Sequence, residues 1–139
     1  MGSETPRRSF RDCGGNASVA FALVLPLLLG ILGGVFDFGR AVWLDSTLQH
    51  AAREGARYAG ARGAGSMTPA TVADIAAFVT GEAVGAPADD LAISVAWAPS
   101  NASGGTVTVT VGYVYAPLFA TFLSIGPLQL EAESTMTVL

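Results

Sequence analysis

The longest apolar stretch of the chain lies near its N-terminus and contains no charged residue from Cys13 to Phe36. A membrane-spanning helix needs about 20 apolar residues, at a rise of about 1.5 Å per residue. The apolar core of a secretory signal peptide is shorter, roughly 7–15 residues, and is followed by a cleavage site between small residues. No clear site of that kind precedes a polar segment here. The pattern therefore favours a retained membrane span, which we place at residues 16–36.

Beyond Phe36 the apolar positions recur at helical spacing instead of filling the whole circumference. One face carries Val35, Phe38, Val42, Leu48, Ala52 and Tyr58. Much of the other face carries Asp37, Arg40, Asp45, Gln49, Arg53 and Arg57. This arrangement is typical of an amphipathic helix. We therefore predict one continuous helix from about Ala17 to Tyr58, whose part over residues 37–59 lies beyond the membrane.

Proline and glycine modify the predicted span. Pro26 removes one backbone donor, so we expect the helix to bend there. Gly30, Gly33 and Gly34 offer small faces on which another helix can pack closely. Glycine is also simply common in membrane helices, so both interpretations of these three residues stay open.

A glycine-rich linker over residues 60–67 is predicted to end the long helix and form a flexible joint. Thr68 then suits an N-cap and Pro69 suits the first helical position, so we predict a second helix over residues 69–84. Three segments with the alternation typical of β-strands follow, at residues 91–97, 106–115 and 128–139.

Two further features belong to the predicted strand region. Gly112 is a candidate β-bulge within the second strand, and the apolar residues 117–125 form a link with one or two predicted helical turns. Three consecutive strands favour an antiparallel meander packed on the second helix and on the upper part of the long one. The predicted fold class is α+β and pilin-like, with residues 68–139 as a small extracytoplasmic domain.

The charges separate the two ends of the chain. All seven basic residues are arginines at or before position 62. The only charged side chains in residues 63–139 are acidic. A region without a basic patch is a poor ligand for nucleic acid, so we expect no nucleic-acid partner. Arg7, Arg8 and Arg11 favour a cytoplasmic N-terminus, with residues 1–15 as a leader and the C-terminal domain on the other side of the membrane.

Candidate chemistry is sparse. Cys13 is the only cysteine and His50 the only histidine, so neither an internal disulfide nor a metal-ligand cluster is predicted. No nucleophile motif, phosphate-binding loop or dinucleotide fingerprint occurs. We therefore predict a protein that is not an enzyme, with no catalytic residue, no cofactor, no metal and no small-molecule substrate.

Several short motifs follow one another between Gly15 and Gly60. Gly15 precedes the apolar run, and the motifs after it are VAFALVLP at residues 19–26, DFGR at 37–40 and AAREGARY at 51–58. In this order and spacing they resemble the N-terminal segment of TadE-like proteins, the minor pseudopilins of tight-adherence (Flp, type IVc) pilus systems. The resemblance covers about a third of the chain.

The resemblance implies a processing pathway and a set of partners. A prepilin peptidase would cut after Gly15 and leave Asn16 as the new N-terminus, while the apolar helix stays in the cytoplasmic (inner) membrane. Other pseudopilins and proteins of the pilus assembly platform would be partners. The residues we expect to support helix packing and assembly are Phe21, Pro26, Phe38, Val42, Leu48 and Tyr58.

One position departs from the family pattern. Such proteins usually carry Glu five residues into the mature chain, where it is thought to meet the N-terminal amine of a neighbour, and here that position is Ala20. The expected function is that of a minor pseudopilin that assists assembly or initiation of an adhesive pilus. The alternative is a single-pass, membrane-anchored extracytoplasmic binding or envelope protein that does not enter a pilus.

Overall fold

The computed structural model describes residues 13–119 and 126–139, with side chains from Ala17 onward. The described elements are α1 (Cys13–Ala61), α2 (Val72–Glu82), a short 3-10 turn (Ala88–Asp90), β1 (Leu91–Ala98), β2 (Thr106–Tyr115) and β3 (Leu128–Thr137). This is the predicted α+β fold, with one long helix, one short helix and three strands.

Helix α1 is a single element of 49 residues and continues through Pro26. At about 1.5 Å per residue it is on the order of 70 Å long. It starts four residues before the predicted beginning at Ala17 and ends three residues after Tyr58. Offsets of this size are ordinary because helix ends fray and sequence patterns do not fix them.

The sequence predicts Thr68 as the N-cap of the second helix, but the residue that caps α2 is Thr71. The Thr71 hydroxyl accepts a hydrogen bond from the Asp74 backbone N–H at 3.2 Å. In return the Asp74 carboxylate accepts from the Thr71 backbone N–H at 2.9 Å. This is a complete capping box, which Thr68 cannot form because Thr71 lies in its third position. The hydrogen bonds from Thr71 lower the pKa of Asp74 below its usual value of 3.8.

The sheet is an antiparallel meander in the order β1-β2-β3, as predicted. Pairing is continuous along β2, where Gly112 faces Ala92 on one side and Glu131 on the other. The predicted bulge at Gly112 is therefore wrong. Residues Leu118 and Phe119 lie in a turn after β2, and the predicted helical turns at 120–125 lie outside the described residues.

The inner face of the sheet packs on both helices. Val107, Val109 and Val111 of β2 are fully buried, as are Ile75 and Val79 of α2. The outer face of β2 presents threonines, which are only partly buried. This alternation explains why the second strand was predicted with its observed limits.

Helix α1 contributes a stripe of mostly small residues to the core, and this stripe shares only Leu48 and Ala52 with the predicted apolar face. Val35, Phe38 and Val42 are more than half exposed. The buried positions of α1 beyond Phe36 are Asp37, Ala41, Leu44, Leu48, Ala51, Ala52, Gly55, Ala56, Ala59 and Gly60. Small side chains allow the sheet and α2 to approach the helix closely. A Cβ atom on Gly55, for example, would lie 2.3 Å from a methyl group of Val79.

The segment that follows α1 is held by backbone hydrogen bonds at several points. The Ala64 N–H donates to the carbonyl of Asn101 at 2.8 Å, and the Ala70 N–H donates to that of Arg62 at 3.0 Å. The Leu139 N–H donates to the carbonyl of Gly60 at 3.0 Å, next to the end of α1. The C-terminal residues therefore close the fold against the far end of the helix.

Candidate functional site at the base of the sheet

The N-terminal part of α1 is an exposed apolar surface. Its most hydropathic 18-residue window has a mean hydropathy of 2.6, and only 6% of that window is buried. Large side chains such as Phe21, Leu23 and Leu27 are each about two-thirds exposed or more. By length and composition, this helix can cross a membrane. A buried core helix of a water-soluble protein would not leave such side chains uncovered.

Asp37 lies where this exposed surface meets the globular part, and its side chain is 5% exposed. Its carboxylate accepts a hydrogen bond from the Phe119 backbone N–H at 2.7 Å and another from the Leu118 N–H at 3.1 Å. Both donors belong to the turn after β2, more than 80 positions further along the chain. Charge-assisted bonds of this length are strong, so Asp37 fastens that turn to α1.

Tyr115 lies beside the Asp37 carboxylate, and Arg40 lies over the Tyr115 ring. The Tyr115 hydroxyl lies 3.5 Å from one carboxylate oxygen and 3.4 Å from the Asp37 carbonyl, at the outer limit for hydrogen bonds. The Arg40 guanidinium lies 5.9 Å from the centre of the Tyr115 ring. Burial raises the pKa of Tyr115, and the nearby carboxylate of Asp37 raises it further. Tyr115 therefore stays neutral at physiological pH and can donate to Asp37.

Phe119 lies in close contact with Gly33, which precedes Asp37 by one turn of α1. A Cβ atom at Gly33 would lie 2.4 Å from the Phe119 ring, so the aromatic ring occupies the space that any other side chain would need. At the neighbouring Gly34 a Cβ would meet nothing within 4 Å. Of the three glycines singled out in the sequence, Gly33 thus packs against this chain's own turn, and Gly30 and Gly34 face open space.

The residues predicted for processing lie at the start of α1, and those predicted for assembly fall into two groups. Gly15 and Asn16 lie in the first turn of α1, and Ala20 is exposed. Leu48 is buried in the core, and Tyr58 stacks on Phe78 with ring centres 4.6 Å apart. Exposed apolar side chains at the remaining assembly positions are Phe21 at 65%, Phe38 at 72% and Val42 at 52%. Pro26 is likewise exposed.

Sequence reasoning assigned Asp37 to the solvated face of the helix, and this is wrong. Its partners are backbone N–H groups of a remote turn, which no side-chain pattern reveals. One signal was present, because Asp37 is the first charged residue after the uncharged run that begins at Cys13. A carboxylate directly beside an apolar span needs a partner, since an unpaired buried charge is costly.

Among the described residues, no three His, Cys, Asp or Glu side chains come together as metal ligands. The junction of Asp37, Tyr115 and the turn after β2 instead holds two parts of the chain together.

Comparison with known proteins gives a family match over most of α1. Residues 15–57 match the family model described as TadE-like protein. Comparisons with curated proteins and with solved structures give no match. The matched segment includes the exposed apolar part of α1, Asp37 and most of the buried small-residue stripe. The resemblance indicated by the sequence is thus confirmed over residues 15–57, which are similar to TadE-like proteins.

Proposed function

We propose that this protein is a minor pseudopilin that assists assembly or initiation of a tight-adherence pilus and performs no catalysis itself. The TadE-like family is a structural family associated with Tad pili. The observation that supports the proposal is the matched helix, which leaves its N-terminal part exposed and apolar and seats its C-terminal part in a small sheet domain. Such a helix suits a single-pass anchor that can later contact other helices.

In the proposed orientation, residues 1–15 lie in the cytoplasm and residues 63–139 lie outside it. The three leader arginines support this, because basic residues beside a span resist translocation. A reporter fused after Leu139 that functions only after export should be active. Activity of a reporter that functions only in the cytoplasm, fused at the same position, would contradict the orientation and, with it, the pseudopilin proposal.

The direct test of processing is the intact mass of the protein isolated from its native membrane. We expect the mass of a chain that begins at Asn16 in cells with a prepilin peptidase and of the full chain in cells without one. Gly15→Leu should keep the leader, because a branched side chain obstructs the scissile bond, while Ala17→Leu, two residues away, should still be cut. A mature chain that begins beyond Phe36 would instead indicate a removed signal peptide.

The test of assembly uses Ala20, where the usual glutamate is missing. An apolar residue makes the helix easier to hold in lipid than an ionised carboxylate by about 2–3 kcal/mol on insertion scales. We therefore propose that this subunit works in a mixed complex whose partner pseudopilins supply the carboxylate. Ala20→Glu should raise crosslinking to the major pilin without abolishing cleavage. If neither the native protein nor this variant crosslinks to a pilus component, the alternative of a membrane-anchored binding or envelope protein is favoured.

A further inference from the structure

The turn after β2 reaches α1 at a level that belongs to the apolar span. Phe119 packs on Gly33, which lies four residues before Asp37. At about 1.5 Å per residue, this contact is about 6 Å further toward the N-terminus of the helix than the Asp37 carboxylate. Gly33 also falls inside residues 16–36, the segment that we assign to the membrane. A part of the globular domain thus lies beside the spanning helix instead of above it.

The exposed surface at this level is apolar on both elements. Leu118 is 60% exposed and Phe119 is 40% exposed. On α1, Leu29, Leu32 and Phe36 are each between 54% and 58% exposed. The described residues of the same link, 116–119 and 126–127, include no charged residue. Any hydrocarbon layer that covers α1 at this height therefore meets Leu118 and Phe119 as well.

We propose that the turn after β2 is a second membrane contact, in which Leu118 and Phe119 enter the hydrocarbon region of the bilayer beside α1. The occupant of this surface is lipid, because the surface is continuous with the exposed apolar ring of the spanning helix. Polar and amphipathic side chains begin directly above it. Arg40 lies one turn higher, and Trp43, which is 51% exposed, is of the type enriched at membrane interfaces.

Asp37 has a defined part in this contact. A turn that enters lipid must satisfy its backbone N–H groups within the protein, because no water is available there. The N–H groups of Leu118 and Phe119 both donate to the Asp37 carboxylate. The same bonds offset the free-energy cost of placing a carboxylate near the membrane boundary. Asp37 is therefore a positioning residue that allows these two apolar side chains to meet the bilayer.

The lipid contact does not require anionic headgroups. The domain beyond Arg62 has no basic side chain, so attraction to a negative surface contributes little. Burial of apolar side chains contributes instead, and uncharged phosphatidylcholine should suffice. The inference rests on the membrane anchor of the proposed function but not on pilus assembly.

The test uses the full chain with Cys13→Ser, reconstituted at one copy per phosphatidylcholine nanodisc. An environment-sensitive nitrobenzoxadiazole label is attached at Leu118→Cys, which is exposed and leaves the Phe119 packing intact. Lipids with a spin label on the upper acyl chain serve as quenchers. Leu27→Cys, 66% exposed on α1, is the control within the span, and Met67→Cys, 103% exposed beyond the other end of α1, is the control in water.

We expect the spin-labelled lipids to reduce the fluorescence at positions 118 and 27 by at least twofold and to leave position 67 unchanged. Adding Asp37→Ala should reduce the quenching at 118 and leave that at 27 as it was. Quenching at 27 without quenching at 118 would overturn the lipid contact and leave the anchor intact. Absence of quenching at both would overturn the anchor too. A response at 118 that occurs only with several copies per disc would assign the surface to a second copy and also overturn the proposal.

Discussion

The two halves of α1 differ in how far their apolar side chains are buried. In the half before Asp37, the large residues Phe21, Leu23 and Leu27 are exposed. In the half after it, alanines such as Ala51, Ala52 and Ala59 are fully buried. The first half needs large apolar surface because its expected neighbours are lipid chains. The second needs small side chains because a sheet approaches it closely. Burial in this helix therefore depends on what covers each face, and hydrophobicity alone does not predict it.

The first and largest expected effect compares the same substitution in both halves. Leu48→Ala removes a side chain that is 1% exposed in the core, and it should lower the free energy of unfolding of the domain by about 2–5 kcal/mol. Leu27→Ala, at an exposed position, should leave that free energy unchanged. Denaturant unfolding in detergent micelles, followed by tryptophan fluorescence, measures both. Equal losses would contradict the division of the helix into two environments.

The second prediction concerns the carboxylate at the boundary between the halves. Asp37→Ala leaves the backbone N–H groups of Leu118 and Phe119 without their acceptor, so it should cost about 2–3 kcal/mol. Asp45→Ala is the matched control, because among the described residues that carboxylate accepts from the nearby Gln49 side chain alone. The control should change stability by less than about 0.5 kcal/mol. The same unfolding measurement applies, and a cost at Asp45 as large as at Asp37 would show that Asp37 does not fasten the turn after β2 to α1.

The third prediction uses two adjacent glycines just below the boundary. Gly33→Ala places a methyl group where the Phe119 ring lies, so it should destabilise the domain by about 1–2 kcal/mol. Gly34→Ala meets open space and should be neutral or stabilise the helix by up to about 1 kcal/mol. Hydrogen exchange of the Phe119 amide, measured by NMR, should speed up only in the first variant. If both variants behave alike, the ring does not rest on Gly33.

The fourth prediction tests the N-cap of α2, the helix that packs on the half of α1 after Asp37. Thr71→Ala removes the side-chain part of the capping box and should cost about 1 kcal/mol. Thr68→Ala, the cap that the sequence predicts, should stay within about 0.5 kcal/mol of the native protein. Thermal unfolding by circular dichroism compares the two. A larger effect at Thr68 would restore the sequence-based assignment.

The smallest expected effect is a pH dependence at the junction. The pKa of Tyr115 is raised above 10.0 in the folded protein, first by burial and second by Asp37. The unfolded chain therefore releases this proton at lower pH than the folded one, and stability falls as the pH rises above about 10. Tyr115→Phe should remove this part of the alkaline decline. A decline of unchanged size in that variant would assign it to other groups.

The sequence predicts those elements whose own residues determine them. The alternation of threonine and valine predicts β2 with its observed limits, and the uncharged run before Asp37 predicts the exposed part of α1. The hydrogen-bond partners of Asp37 were harder to predict, since Leu118 and Phe119 lie more than 80 positions further along the chain. The apolar face of α1 beyond Phe36 is predicted only in part, since Val35, Phe38 and Val42 are exposed while Leu48 and Ala52 are buried as expected. The cap of α2 was misassigned because two local signals for a helix start lie close together. Thr68-Pro69 is one, and Thr71 with Asp74 is the other.

The attachment of the sheet at two distant points on α1 has a mechanical consequence. The Asp37 carboxylate holds one end of the domain, and the Gly60 carbonyl, bonded to Leu139, holds the other, 23 residues away. At about 1.5 Å per residue the two attachments are about 35 Å apart. A force along the helix axis would therefore load both in shear, so that they resist together instead of opening one after the other. If the helix is pulled, the load is therefore shared by both ends of the sheet domain.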